Sequence, residues 1–392
     1  MNITITPRKL CGKVTAIPSK SHAHRLLICA AFADKPTTLL CPETNQDIQA
    51  TAACLQALGA EISYDGSCYR VVPCAAVPKS AILPCRESGS TLRFLLPVAG
   101  ALGVDTTFLM EGRLPQRPLS PLWEEMKRMG CTLTRPTENT LRCRGRLQAG
   151  TYTVAGNISS QFITGLMLAL SLMDGESELQ ITGKLSSAPY VDMTRDALAL
   201  FGITGQNYGG KTLHSPDSIT VEGDWSNGAF FLGAQALGNE VELSGLNPDS
   251  SQGDKAVVSI LAQLKSGCAT VSAENVPDLV PILSVVAACN HGAVFTDIQR
   301  LRLKESDRVA AIIAMLSALG GKATATEETL TVSPAKLTGG TVDSFCDHRI
   351  AMSAAIAATV CQNPVCILDA QSVEKSYPQF WAEYRRLGGI YE

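Results

Sequence analysis

One phrase written six times constrains this chain more than anything else in it. It is an amphipathic helix that ends in a bulky apolar residue and Gly and runs on into a β-rich segment. The copies lie at 47–59 (DIQATAACLQALG), 121–130 (PLWEEMKRMG), 191–202 (VDMTRDALALFG), 253–267 (GDKAVVSILAQLKSG), 304–320 (KESDRVAAIIAMLSALG) and 377–388 (YPQFWAEYRRLG). The closing Gly is the residue expected in left-handed conformation just past a helix C-terminus. The copies recur at roughly 50 to 70 residues, longer than the usual solenoid periods. A unit of that size must contain helices and strands together.

A second kind of helix alternates with the first and is apolar nearly all round. Copies start at Ser19 (SKSHAHRLLICAAFA), Ser88 (SGSTLRFLLPVAGALG), Ser159 (SSQFITGLMLALSLM), near Ser226 (SNGAFFLGAQALG), at Val276 (VPDLVPILSVVAAC) and at Asp347 (DHRIAMSAAIAATVC). Helices without a polar face are buried. Each unit therefore pairs a buried helix with an amphipathic one, joined by strand-like segments such as 218–221 (SITV), and six units imply two pseudo-symmetric α/β domains. The buried helices begin on Ser, Asp, Asn and Gly, which cap N-termini. Several also carry a cation in their first turns, namely Lys20, Arg25, Arg93, His348 and Arg349. Positive charge there opposes the helix dipole, and Arg25 and Arg93 stand among apolar residues where an unpaired charge is costly. Both facts point to anions held at helix N-termini.

The remaining composition narrows the function class. A formal net charge of −3 over 392 residues leaves no basic face for nucleic acid, and 45% hydrophobic residues supply ample cores. The start, Met1-Asn2-Ile3-Thr4-Ile5-Thr6-Pro7, alternates like a strand and does not read as a signal peptide. The apolar stretches are too short to span a bilayer. Fourteen cysteines are scattered without a single C-x-x-C, which reads as reduced thiols, mostly structural, in a cytoplasmic protein.

Three motifs are decoys. The segment 205–212 (GQNYGGKT) fits the P-loop pattern, but it follows a helix and precedes His214-Ser215-Pro216-Asp217 and a strand. No helix can open there over a phosphate, so it reads as a Gly-rich hairpin turn. His22-Ala23-His24 places its imidazoles two apart on a helix, on different faces, which is not a metal-ligand spacing. His214 and His291 sit in loop-like contexts and carry no signal.

The informative residues are Ser19-Lys20-Ser21 with Arg25, Ser88-Gly89-Ser90 with Arg93, Leu114-Pro115-Gln116-Arg117-Pro118, and Ser159-Ser160-Gln161. They continue with Pro277-Asp278, Lys304-Glu305-Ser306-Asp307-Arg308, Asp347-His348-Arg349 and Glu374-Lys375. In this order they resemble the 5-enolpyruvylshikimate-3-phosphate synthase family, from Lys20 to Lys375. The resemblance implies a two-domain inside-out α/β barrel of six β-α-β-α-β-β repeats, three per domain. One domain would take 1–18 with 224–392 and the other 19–223, with the active site in the interdomain cleft. It implies a cytoplasmic monomer with no cofactor and no metal, whose partners are two small molecules, phosphoenolpyruvate and shikimate-3-phosphate. These would join by addition and elimination on the way to chorismate and the aromatic amino acids.

Carried over residue by residue, Lys20, Ser21, Arg25, Ser159, Ser160, Gln161, Ser187, Asp278 and Lys304 resemble the shikimate-3-phosphate set. Lys20, Gly89, Arg117, Arg308, Arg349 and Lys375 resemble the phosphoenolpyruvate set. Lys20, Asp278 and Glu305 resemble the proton-transfer groups, with acid and base unassigned between the two carboxylates. The sister family, UDP-N-acetylglucosamine enolpyruvyl transferase, places Cys or Asp where this chain has Gly112 and lacks the Ser-Lys-Ser start with Arg25. A non-catalytic anion binder would not keep Asp278, Glu305 and Lys20 together. Two departures stand out. Glu87 occupies a place where the family usually has Asn, and Arg300 one where it commonly has an acidic or amide residue. By the same resemblance, Gly89 implies sensitivity to the inhibitor glyphosate.

Overall fold

The sixfold repetition is built into the backbone of the structure, a computed structural model that describes residues 1–392. Twelve α-helices follow in order. They are α1 (Lys20–Ala31), α2 (Gln46–Ala57), α3 (Gly89–Leu102), α4 (Leu122–Arg128), α5 (Ser160–Leu170), α6 (Ala188–Leu200), α7 (Trp225–Ala236), α8 (Val257–Ser266), α9 (Val280–Cys289), α10 (Arg308–Ala318), α11 (His348–Ala358) and α12 (Phe380–Arg386). The odd-numbered helices are the apolar type, and α11 is buried along its whole length. The even-numbered ones keep a wet face; α8 buries only Val257, Ile260 and Leu264, the i, i+3, i+7 stripe of an amphipathic helix.

Six sheets accompany them. In four, a parallel strand pair is extended by two antiparallel strands. Ser80–Arg86 runs parallel to Asp105–Met110, which pairs antiparallel with Thr140–Gly145, itself antiparallel to Cys131–Thr134. The other two sheets are shortened versions. Thr151–Ala155 and Ser177–Thr182 keep the parallel pair and add only the two-residue strand Asn207–Tyr208. Cys11–Thr15 and Glu240–Ser244 keep the parallel pair alone. The P-loop look-alike is thus not a hairpin turn: it contains a curtailed strand of its repeat, and the Lys211 ammonium folds back onto the Thr204 and Asn207 carbonyls at 3.1 and 2.9 Å.

The chain divides into two units, residues 1–17 with 223–392, and residues 18–222, each with its own hydrophobic core. The break is closed by backbone bonds: the Asp224 N–H donates to the Ile17 carbonyl in the first unit, and the Ser19 N–H to the Glu222 carbonyl in the second. In the first unit α7, α9 and α11 pack on one another; in the second α3 packs on both α1 and α5. The α3–α5 approach has a clear origin. Pro97 inside α3 has no N–H to give the Arg93 carbonyl, and a Cβ on Gly165 of α5 would stand 2.2 Å from that oxygen and 2.9 Å from the Pro97 ring. Only Gly lets the two backbones come that close.

Several boundaries differ from the sequence pattern. The helix expected from Val276 begins at Val280, because Pro281 suits a first helical turn and leaves Pro277-Asp278 in the preceding turn. The copy at 304–320 becomes helical only at Arg308. Asp307 is its N-cap, with a side chain that accepts from the Val309 and Ala310 N–H groups at 3.1 Å each. The last copy starts at Phe380 and not Tyr377, since Pro378 disfavours helical backbone in the residue before it. Among the closing glycines, Gly59, Gly130, Gly202, Gly320 and Gly388 have positive φ. Gly267 is instead extended, at φ 172°. No helix is long and apolar enough to cross a membrane, and all fourteen cysteines are free thiols.

Candidate functional site

In the unit of residues 18–222, the N-termini of α1, α3 and α5 carry the expected residues. Ser19, Ser88 and Ser159 are the N-caps, each accepting a backbone N–H within the first turn. Lys20 opens α1 and forms an ion pair with Asp47 of α2, 2.9 Å away. Gly89 opens α3, and two guanidinium groups lie against its Cα: an added Cβ would stand 2.5 Å from Arg117 Nη1 and 2.8 Å from Arg93 Nη1. Arg93 donates to the Gln161 side-chain oxygen at 3.1 Å and to the Pro118 carbonyl at 3.2 Å. Gln161 in turn donates to the Ser90 hydroxyl at 3.0 Å, tying the start of α5 to the start of α3. Arg117 Nε is buried without a hydrogen-bond partner.

Arg25 is almost wholly buried and meets neutral oxygens: Ser21 O (2.6 Å), Tyr190 O (2.8 Å), Thr194 Oγ1 (2.9 Å) and Thr164 Oγ1 (3.2 Å). Burial without a carboxylate partner lowers its pKa to about 10, which leaves it charged at neutral pH. Ser187 stands at the start of α6 in left-handed backbone, φ 57°, an uncommon conformation for Ser and a form of local strain associated with binding sites. Ser21 and Ser159 are part-exposed beside these helix starts, and Ser160 is buried. Glu87 turns toward Gly112: a Cβ on that glycine would fall 1.5 Å from Glu87 Oε1.

In the other unit the charges converge on Arg308, which is 1% exposed. Its Nη1 donates to Asp278 Oδ1 (2.6 Å), its Nη2 to Glu305 Oε2 (2.7 Å) and its Nε to Asp347 Oδ2 (2.9 Å). Asp278 also takes Lys304 Nζ at 3.3 Å and Arg349 Nη2 at 3.1 Å. Arg349 is oriented further by Ser226, whose hydroxyl accepts from Nη2 at 3.0 Å. Burial would raise the Asp278 carboxyl, but Arg349, Lys304 and Arg308 override it and hold the group well below the carboxylate range. Burial draws the Lys304 ammonium down to about 8; Asp278 opposes that shift and Arg308 adds to it. Lys375 ends a short 3₁₀ turn, Ala370–Lys375, and is buried. No group of three His, Cys, Asp or Glu side chains is arranged to hold a metal ion, and the carboxylates that do converge surround a guanidinium.

The two clusters have different charge. Around Arg308, three carboxylates (Asp278, Glu305, Asp347) face three cations (Lys304, Arg308, Arg349), a balanced set. Around Gly89, two guanidiniums converge on one helix start, and Arg117 Nε is buried without a hydrogen-bond partner, which is an arrangement that attracts an anion.

Residues 5–384 match the model of the EPSP synthase (3-phosphoshikimate 1-carboxyvinyltransferase) family. The chain belongs to that family. The 3-phosphoshikimate 1-carboxyvinyltransferases of Clostridium kluyveri and Clostridium beijerinckii are 38% and 37% identical to it, over 99% and 100% of this chain and 97% and 98% of theirs. An EPSP synthase structure from Acinetobacter baumannii superposes with a TM-score of 0.81 at 23% identity, covering 100% of this chain and 99% of that one. The enolpyruvyl transferase NikO from Streptomyces tendae gives 0.77 at 18% identity, covering 100% and 98%. These likenesses show the mixed α/β fold of enolpyruvyl transferases. For this EPSP synthase family member, sequence reasoning missed Asp47 beside Lys20 and Ser226 beside Arg349. Asp47 in the first turn of α2 looks like ordinary compensation of the helix dipole. No local signal distinguishes Ser226 from any other serine in an apolar helix.

Proposed function

We propose that the chain transfers the enolpyruvyl group of phosphoenolpyruvate to the 5-hydroxyl of shikimate-3-phosphate and releases phosphate, with both clusters needed in the same turnover. The division of charge carries the reading. The Gly89 cluster, with Lys20 and Gln161 at helix starts and Arg117 just past a 3₁₀ turn, offers cations to an incoming anion. The Arg308 cluster holds the Asp278 carboxylate ionised next to Lys304.

The chemistry then follows from the residues. Asp278, kept ionised by three cations, is unsuited to donate a proton at neutral pH; it can only accept one, as a weak base, and we assign it the proton of the attacking hydroxyl. The hydroxyl oxygen bonds to C2 of the enol while C3 gains a proton, which we assign to Glu305 or Lys20. In the second step C3 returns a proton, the C2–O bond to phosphate breaks, and the enol ether remains on the sugar-like ring. Lys20, Ser21, Arg25, Ser159, Ser160, Gln161, Ser187, Asp278 and Lys304 are proposed for shikimate-3-phosphate. Lys20, Gly89, Arg117, Arg308, Arg349 and Lys375 are proposed for phosphoenolpyruvate. The proposal includes a monomer acting in the cytoplasm.

The test is phosphate release from phosphoenolpyruvate with shikimate-3-phosphate and, separately, with UDP-N-acetylglucosamine. Release with the first alone is expected; release with the nucleotide sugar alone, or with neither, overturns the reading.

Two further results are expected. In Gly89→Ala the methyl group would displace the ends of Arg117 and Arg93, which are flexible, so the fold should persist. The KM for phosphoenolpyruvate should rise by about tenfold or more at an unchanged melting temperature. An unchanged KM would mean that the arginines do not grip this substrate.

The second concerns pH. With its pKa near 8, Lys304 loses its charge as pH rises through that value, so kcat/KM for shikimate-3-phosphate should fall on the alkaline side. Lys304→Arg should carry the plateau to higher pH, and coincident profiles would refute the assignment. The stability effect has the opposite sign. A cation with a depressed pKa is a burden while protonated, so unfolding free energy should rise from about pH 8 toward the unfolded value of about 10.4.

A further inference from the structure

Behind the Gly89 cluster lies a buried chain of polar groups with no part in the chemistry above. His24, Thr51, Thr91 and Ser88 are each completely buried, on α1, α2, α3 and the cap of α3. His24 Nδ1 is 2.7 Å from Thr51 Oγ1, Thr51 Oγ1 is 2.7 Å from Thr91 Oγ1, and Thr91 Oγ1 is 2.7 Å from Ser88 Oγ.

Counting hydrogens fixes the direction of this chain. The Thr91 hydroxyl donates to Ser88 Oγ, with the Asp47 carbonyl also in reach at 3.5 Å, so its one hydrogen points away from Thr51. Thr51 must then be the donor to Thr91, and its own hydrogen is used. The Thr51 oxygen can therefore only accept from His24, which puts the imidazole proton on Nδ1. The other ring nitrogen, Nε2, is buried with no partner, tolerable for a lone pair and costly for an N–H. Burial pushes the imidazole pKa down to about 3, so His24 stays neutral and the direction does not reverse at ordinary pH.

The geometry gives the chain a purpose. His24 lies one helical turn beyond Lys20 on α1, and Thr51 one turn beyond Asp47 on α2, so His24–Thr51 is an inner rung parallel to the outer Lys20–Asp47 ion pair. The chain then continues into α3 and ends on Ser88, whose oxygen also accepts the Thr91 N–H and caps the helix that opens with Gly89. Apolar side chains would fill this closed interior without the desolvation cost of three hydroxyls and an imidazole. Resting on the reading that phosphoenolpyruvate binds at Gly89, we infer that His24, Thr51 and Thr91 are positioning residues. They fix the start of α3, with Gly89, Ser90 and Arg93, and so set affinity for phosphoenolpyruvate more than for shikimate-3-phosphate, which meets this helix start only through Gln161.

The test uses the full-length protein. Thr91→Val and Thr51→Val keep side-chain shape and remove one link each. Each should raise the KM for phosphoenolpyruvate about tenfold and that for shikimate-3-phosphate by clearly less; Thr51→Val should also lower the melting temperature, because it leaves the His24 Nδ1–H without an acceptor, and Thr91→Ser should restore the original KM. Unchanged constants in both valine variants would overturn the inference, as would an equal rise in both KM values with a falling melting temperature, the mark of a merely structural role. Nitrogen-15 NMR of the imidazole gives a reading that needs no turnover: Nδ1–H is expected for His24, and Nε2–H would refute the chain's direction. If the unmodified protein releases no phosphate, the proposed reaction fails, while the NMR result still decides the direction.

Discussion

Arg308→Met is expected to lower stability by about 3–5 kcal/mol and to abolish measurable phosphate release. The methionine is of similar reach and apolar, so the loss is not one of packing. Each nitrogen of Arg308 faces a different carboxylate, from Asp278, Glu305 and Asp347, and Asp347 is fully buried. Without the guanidinium, Asp347 keeps the Ser306 hydroxyl and the Arg349 N–H but no paired guanidinium, and Glu305 loses its bond to Arg308. Arg308→Lys should rescue little, because one ammonium cannot reach in three directions. Urea unfolding followed through Trp225 and Trp381, both in this unit, measures the change. An unaltered midpoint would show that the carboxylates relax into other partners and that Arg308 is not the hub.

Asp278→Asn should leave the fold in place and reduce kcat by about 10²- to 10⁴-fold, the range for removing a positioned acid or base. The amide is nearly the same size and still accepts through its oxygen, but it cannot take a proton from a hydroxyl. In the unmodified protein, Asp278 stays ionised well below the ordinary carboxylate range, so its stabilising effect is present above about pH 3.9 and lost only in stronger acid. No acid limb from Asp278 should therefore appear in the neutral pH–rate profile. A variant within tenfold of the parent would give the base role to another group.

Much of this was legible in the sequence, for reasons that can be named. The alternation of helix types follows from hydrophobic periodicity, which side-chain burial enforces at every turn; α11 and α8 show its two extremes. The helix-start cations were legible because they contradict the dipole rule, as Lys20 and Arg349 do. Harder to foresee was the partner of each charge. Arg308 reads as a substrate cation, yet its three nitrogens are all occupied by carboxylates from three segments distant in sequence or outside its helix. Arg25, a charge expected to need an anion, is solvated by four protein oxygens, including Tyr190 and Thr194 of α6. Such pairings depend on tertiary contact, and no local pattern encodes them. The Lys304-Glu305-Ser306 segment shows the same limit at the level of backbone, since only the capping bonds of Asp307 reveal that it precedes its helix.

The interrupted unit also has a consequence for how the molecule is made. Strand Ile3–Thr6 is translated before the inserted unit, yet it pairs with Val365–Leu368 and with Ile390–Tyr391, which are translated after it. Residues 18–222 have all their own strand partners and a core of their own long before then. The inserted unit can therefore fold during synthesis, while Ile3 and Ile5, buried in the folded protein, must wait with their edges unpaired until Val365–Leu368 and Ile390–Tyr391 have been made. At roughly 5–20 residues per second that wait lasts some tens of seconds, during which an apolar strand edge stays unpaired.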